Sequence, residues 1–92
     1  MQEVLSKAAD PKTPPRDQEF YELNLYDSDS AGERVYCMRE ARARWDDESK
    51  QAIRDEEHFE QFLTLEEAEK RYAERRLALA EEGFIYSDMD LF

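Results

Sequence analysis

One helical segment near the end of the sequence constrains the fold of this chain more than any other feature. Thr64 is followed three residues later by Glu67, the spacing of a capping box, and Gly83 stands where a left-handed C-cap belongs. The segment between them therefore predicts a helix over about 65–82. Its apolar residues recur at spacings of three and four and predict one broad stripe packed on a sheet: Leu65, Ala68, Tyr72, Ala73, Leu77, Leu79 and Ala80.

Two stretches before this helix alternate with the period of two that is typical of half-buried strands. The first, "FYELNLY", places Tyr21, Leu23 and Leu25 on one face. A run rich in turn-forming residues follows, and "RVYCMRE" then resumes the alternation with Val35 and Cys37 on one face. The three pieces predict a β-hairpin.

Residues 39–63 show no single clear period, and two alternatives remain open. Either the second strand continues to Trp45 and a third strand runs near 57–63, or a helix covers about 46–56. In both cases we expect an α+β fold, in which a small antiparallel sheet of three or four strands packs on one main C-terminal helix. The expected core comprises Leu23, Leu25, Val35, Cys37, Phe62, Leu65, Ala68, Tyr72, Leu79 and Phe84.

The chain divides into three expected regions. Residues 1–18 are expected to form a flexible leader, because Pro11, Pro14 and Pro15 forbid a continuous helix or central strand there. Residues 19–86 are expected to form a single α+β domain, since 92 residues have room for one small core. Residues 87–92 form an acidic and hydrophobic tail.

The charge of the chain is strongly acidic and unevenly distributed. The formal net charge is -11, and residues 46–92 hold fifteen acidic against six basic residues. Such a surface repels nucleic acid and attracts a basic surface on another protein; a solvated face that keeps the protein soluble is the alternative. The candidate contact residues are Asp46, Asp47, Glu48, Asp55, Glu56, Glu57, Glu74, Glu81 and Glu82.

Within the middle of the chain, Arg39, Arg42 and Arg44 form the only basic cluster, which could also contact phosphate. Acidic residues follow directly after them. Local ion pairing is therefore the expected use of these arginines.

The remaining polar residues do not form a recognisable catalytic or metal-binding pattern. His58 is the only histidine, Cys37 is the only cysteine, and the two glycines are too few for a phosphate-binding loop. We therefore expect a protein that is not an enzyme and that needs no cofactor. A single cysteine, no apolar run of membrane-spanning length and no signal-peptide layout predict a cytoplasmic protein without a membrane partner.

The order of the elements resembles the later part of a WGR domain. In that family a final helix follows a Phe-Ser/Thr-x-x-Glu-Ala pattern and leads to a Gly-aromatic strand, and the matching residues here are Phe62, Thr64, Glu67, Ala68, Gly83 and Phe84. The resemblance spans about 65 residues and implies a similar fold. The Trp-Gly-Arg motif itself is missing, because Trp45 is followed by Asp46 and Asp47. WGR domains contact DNA through basic residues, so no binding residue is carried over to this acidic chain.

The last five residues resemble the pentapeptide by which bacterial replication and repair proteins bind the sliding clamp, commonly Gln-Leu-Ser/Asp-Leu-Phe. Met89 takes the first apolar position, Asp90 the polar one, and Leu91 and Phe92 the paired anchors, while Asp88 replaces the usual Gln. The alternative is that Leu91 and Phe92 fold back on the sheet of the domain.

Two functions follow as hypotheses. The first is a small acidic protein of phage or bacterial origin that inhibits a basic nucleic-acid-binding protein, as DNA mimics and anti-CRISPR proteins do. The second is a WGR-like interaction module of DNA metabolism that the tail recruits to the sliding clamp.

Overall fold

A computed structural model describes residues 1–8 and 12–87, without the side chain of Ser30. An antiparallel sheet carries one helix across a face, so the α+β class is confirmed, with five strands rather than three or four. The strand order in the sheet is β4-β3-β2-β1-β5. The elements are β1 (Gln2–Lys7), β2 (Glu19–Ser30), β3 (Glu33–Asp46), β4 (Gln51–Phe62), α1 (Leu65–Glu81) and β5 (Ile85–Tyr86), with a short 3₁₀ turn at Pro15–Asp17.

The predicted hairpin consists of β2 and β3. Ser30 and Glu33 are partners across the ladder, so Ala31 and Gly32 form a two-residue loop. Both loop residues have positive φ, 52° and 84°. A two-residue type I′ turn requires this conformation, and its twist matches that of the flanking strands.

The expectation of a flexible leader is wrong for residues 2–7. These residues form β1, which pairs with both β2 and β5. Leu5 is fully buried in the main core and stands opposite Tyr21. The segment has only six residues, four of them polar, so its apolar content is too small to indicate a strand without the sheet that accommodates it.

The main core lies between the sheet and α1. Of the expected core, Leu65 is exposed and Phe62 only partly buried. Val35 and Cys37 are buried as predicted, but they alternate with Met38 and so face away from α1. The main core comprises Leu5, Tyr21, Leu23, Leu25, Met38, Ala68, Tyr72, Leu79 and Phe84.

A second, smaller cluster lies on the face of the sheet that α1 does not cover, here called the open face. Phe20, Ala43 and Ala52 are buried there, and Val4 and Trp45 pack against them. The sheet therefore buries apolar side chains on both of its faces.

The middle of the chain forms strand and turn, so the helix proposed for about 46–56 is wrong. β3 continues to Asp46 and β4 begins at Gln51. The ladder between them is interrupted, because Arg42 stands opposite Glu56 whereas Ala43 stands opposite Arg54. Asp55 is the extra residue of a β-bulge.

The only α-helix in residues 1–8 and 12–87 lacks the length and apolar character that crossing a membrane requires.

Candidate functional site

Most of the predicted acidic contact residues lie at one end of the molecule. Asp46 ends β3, Asp47 and Glu48 follow in the turn, and β4 carries the acidic stretch 55–57. α1 runs back towards this end, where Glu82 lies 4.0 Å from Arg42. We call the group Asp46, Asp47, Glu48, Asp55, Glu56, Glu57, Glu81 and Glu82 the acidic end. Glu74 lies outside it, farther back along the helix.

The acidic end does not form one flat face. Glu56 is the partner of Arg42 on the helix side of β4, whereas Glu57 is the partner of Ala41 and points to the open face. The carboxylates thus surround the outer strand and its turn. Because a duplex-like row of phosphates needs regular spacing on one face, the arrangement differs from a simple imitation of one DNA strand.

Several of the predicted residues pair with arginines of the same chain. Asp55 binds Arg44 at 3.1 Å, and Arg71 lies 3.5 Å from Glu74. The arginines of the basic cluster do form ion pairs, but the expectation of local pairing with the adjacent acidic residues is wrong. Their partners are distant in the sequence: Glu22 for Arg39, Glu82 for Arg42 and Asp55 for Arg44. Within the described ranges, Glu48, Glu56 and Glu81 form no salt bridge.

Two acidic residues of the turn have local structural contacts. The Asp46 carboxylate accepts hydrogen bonds from the Ser49 hydroxyl at 2.8 Å and from the backbone N–H groups of Glu48 and Ser49. These hydrogen bonds, the one from the Ser49 hydroxyl first, lower the pKa of Asp46. Asp47 accepts a hydrogen bond from the indole N–H of Trp45 at 2.9 Å. The hydrogen bonds of Asp46 and Asp47 stabilise the turn that joins β3 and β4.

A cleft of about 510 Å³ lies between α1 and the β3–β4 side of the sheet. The sequence does not directly indicate this cleft, because its arginines and glutamates come from distant parts of the chain. The only pattern that pointed to it is the pair Arg71 and Arg75, four residues apart on α1. The lining residues are Tyr21, Glu40, Arg42, Glu56, His58, Phe59, Glu60, Arg71 and Arg75.

The floor of the cleft is a buried ion pair. Arg75 Nε donates to both oxygens of Glu40 at 2.9 and 3.1 Å, and the Tyr21 hydroxyl donates to Glu40 as well. Burial, together with the hydrogen bond to Glu40, raises the pKa of Tyr21. Arg71 Nε contacts Glu60 at 3.3 Å beside this group. Two glutamates of the cleft, Glu40 and Glu60, are therefore paired with arginines of α1.

Neither His58 nor Cys37 forms part of a metal site in the described parts of the chain. Cys37 is buried, as its strand position predicted. No group of three or more potential ligands comes together in residues 1–8 and 12–87. The predicted tail residues Asp88, Met89, Asp90, Leu91 and Phe92 lie outside the described residues.

Comparison of the chain with protein-family models, curated proteins and solved structures found no match.

Proposed function

We propose that this chain is a small acidic binding protein that docks on a basic nucleic-acid-binding protein and inhibits it, as DNA mimics and anti-CRISPR proteins do. The observation that supports this proposal is the charge that remains after internal pairing. All eight arginines from Arg34 to Arg76 lie within 4 Å of carboxylates of the same chain. The excess of acidic residues therefore lacks an internal counter-charge.

The location of this excess gives the proposal a mechanism. The acidic end combines the β3–β4 turn, the bulged part of β4 and the end of α1, so its field adds up over a small area. The acidic end attracts a basic groove on the partner at long range. The bound protein then occupies the surface of the partner that nucleic acid would use. The protein acts in this proposal by binding and competition rather than by catalysis.

The proposal is tested by capture at two salt concentrations. The immobilised protein is exposed to bacterial lysate at about 0.05 M and about 0.5 M salt, which differ several-fold in Debye length. We expect a nucleic-acid-binding protein to be retained only at low salt, and its DNA or RNA binding to fall when this chain is added. Retention of no such protein, or retention without loss of its nucleic-acid binding, contradicts the proposal.

A matched pair of variants locates the contact. Glu48→Gln with Glu81→Gln removes two charges from the acidic end, and Asp29→Asn with Glu33→Gln removes two at the other end of β3. We expect the first double variant to weaken retention and the second to leave it unchanged. Equal weakening by both would mean that net charge, rather than the acidic end, attracts the partner.

A second proposal is a WGR-like interaction module recruited to the sliding clamp. It is favoured by the start and end of α1, where the Thr64 hydroxyl accepts from the Glu67 N–H at 3.2 Å and Gly83, with φ 104°, precedes buried Phe84. The test is a titration of purified clamp with the intact chain and with a chain lacking Leu91 and Phe92. Binding by the intact chain alone supports this proposal, and binding by neither contradicts it.

A further inference from the structure

The outer side of β4 is the longest open edge of the sheet. β4 has twelve residues and only β3 as a strand neighbour among the described residues, whereas the opposite edge, β5, has two. In an antiparallel ladder, alternate residues of an edge strand direct their N–H and C=O groups away from the sheet. β4 therefore presents a row of backbone donors and acceptors that the fold leaves to solvent.

The side chains along this edge are exposed over an unusually long stretch. Residues 55–59 are all exposed, and Phe59 is 61% exposed. Carboxylates of the stretch lie on both faces of the strand, Glu56 towards the helix and Glu57 towards the open face. The edge thus combines unpaired backbone groups, a large apolar side chain and negative charge.

The charge decides which kind of strand this edge accepts. A second copy of β4 that aligned residues 55–57 with themselves would place carboxylates opposite carboxylates, an arrangement that destabilises a strand pair. A strand with lysine or arginine at these positions would place opposite charges about 5 Å apart between Cβ atoms. The same residues that prevent self-association therefore favour a basic strand.

We propose that the outer edge of β4 binds an extended, basic segment of a partner protein as a sixth strand of the sheet. The backbone groups of β4 supply the hydrogen bonds of strand addition. Glu56 and Glu57 select lysine or arginine on the two faces, and Phe59 packs against an apolar residue of the added strand. This proposal rests on the proposed function, because it specifies how a basic partner binds to the acidic end.

The test uses three synthetic peptides of ten residues and the intact protein. The first, the Lys–Val peptide, contains the block Val-Thr-Lys-Lys, which in an antiparallel strand places Val opposite Phe59 and the two lysines opposite Glu57 and Glu56. The second has Glu in place of both lysines, and the third is the Lys–Val peptide with N-methylated backbone amides. We expect only the first to bind in a calorimetric titration. It should also slow hydrogen exchange of alternate backbone amides within 51–62 by at least about tenfold, because those amides become hydrogen-bonded.

Each other result counts against strand addition. Binding of the N-methylated peptide as tightly as its parent, or binding without slowed exchange in β4, would mean that charge alone holds the peptide. Absence of binding by the Lys–Val peptide overturns the proposal outright. The variant Glu56→Gln with Glu57→Gln is expected to weaken binding at least about tenfold, which corresponds to about 1.4 kcal/mol, whereas Asp29→Asn with Glu33→Gln leaves it unchanged.

The two proposals fail in distinguishable ways. If lysate capture identifies a nucleic-acid-binding partner but that partner leaves exchange in β4 unchanged, strand addition is wrong and the proposed function stands. If the Lys–Val peptide adds to β4 but no nucleic-acid-binding protein is captured, the binding mode stands and the proposed function is wrong.

Discussion

Glu22 is the charged residue most deeply placed in the fold. Its side chain is fully buried on the open face, where Arg54 donates to both of its oxygens at 2.9 Å. Arg39 and Gln2 complete the shell at 2.7 Å each. These partners come from β4, β3 and β1, so one carboxylate on β2 connects four strands. The alternating pattern of β2 predicted only an outward-facing polar residue here, because the partners lie up to 32 positions away.

Glu22→Gln is therefore expected to destabilise the protein strongly. The amide has the shape of the carboxylate but no charge, so it removes the buried negative charge that Arg39 and Arg54 share. Removing one partner of a buried ion pair costs about 3–5 kcal/mol. The measurement is urea unfolding, with Glu19→Gln, an exposed position on the same strand, as control. Equal stability of the two variants would contradict the buried ion-pair network.

Glu22 is also expected to make the free energy of unfolding fall at acidic pH; we call this decline the acid limb. Burial by itself would raise the pKa of Glu22, but the hydrogen bonds from Arg54 and Gln2 and the positive charge of Arg39 hold it below the usual value of 4.5. A lowered pKa in the folded state contributes stability that is present above pH of about 4.5 and is lost as the pH falls through the folded pKa. We expect Glu22→Gln to flatten this limb in melting curves between pH 7 and pH 3, leaving the part that Asp46 contributes. An unchanged limb would assign it to other carboxylates.

The elements of the fold differ in how far their own sequence specifies them. α1 was predicted within one residue of its end, because its cap, its C-terminal glycine and its apolar spacing are all local. Its stripe is narrower than predicted, since Leu77 is exposed and Arg75 occupies the middle of the buried face. β4 could not be predicted from its own sequence. One bulged residue interrupts the alternation of its side chains, and most of the strand is exposed on both faces.

The buried face of α1 is tested by a pair of leucines two residues apart. Leu79 is 1% exposed in the main core and Leu77 is 61% exposed. Leu79→Ala is expected to cost about 2–5 kcal/mol, because it removes buried apolar surface and leaves a cavity. Leu77→Ala should change the free energy of unfolding by no more than about 0.5 kcal/mol. Thermal unfolding of both variants decides, and the reverse order of stability would place the helix on its other face.

Deleting Asp55 tests the role of the bulge. The deletion makes the β3–β4 ladder regular, with Arg54 still opposite Ala43 on the open face and Glu56 still opposite Arg42 on the helix side. Because residues 51–54 keep their faces, the Glu22–Arg54 ion pair and the packing of Ala52 against Phe20 survive the deletion. We therefore expect the free energy of unfolding in urea to fall by less than the loss of about 3–5 kcal/mol expected for breaking the ion pair. A loss as large as that of Glu22→Gln would mean that the bulge itself is required to hold β4 in place.

At the scale of the whole molecule, the sheet separates two uses of charge. Partly buried arginines hold the strands and α1 together, as Arg76 does with Glu3 at 3.3 Å and Arg75 with Glu40. The surplus carboxylates remain outside: those of the acidic end lie around β4, its turn and the end of α1, and others, Glu66, Glu67 and Glu69 among them, lie at the start of α1. Composition predicted the excess of acid in the second half of the chain. The position of the acidic end depends also on α1 running back along the sheet, which brings Glu82 to 4.0 Å from Arg42 of β3, 40 residues earlier in the sequence.

Salt is therefore expected to act in opposite directions on the fold and on the complex with a partner. A net charge of -11 repels itself, so raising the salt concentration from about 0.01 M to about 0.2 M should raise the melting temperature by screening that repulsion. The same change should weaken partner binding, because it screens the attraction between the acidic end and a basic surface.

Two double variants separate the effects of charge on folding and on binding. Glu48→Gln with Glu81→Gln removes two negative charges, and so does Asp29→Asn with Glu33→Gln, so both variants should melt at a higher temperature than the parent at low salt. Only the first should bind the partner less tightly. If the first variant melts lower than the parent, these carboxylates stabilise the fold, and their position at the acidic end then has a structural cause rather than a binding one.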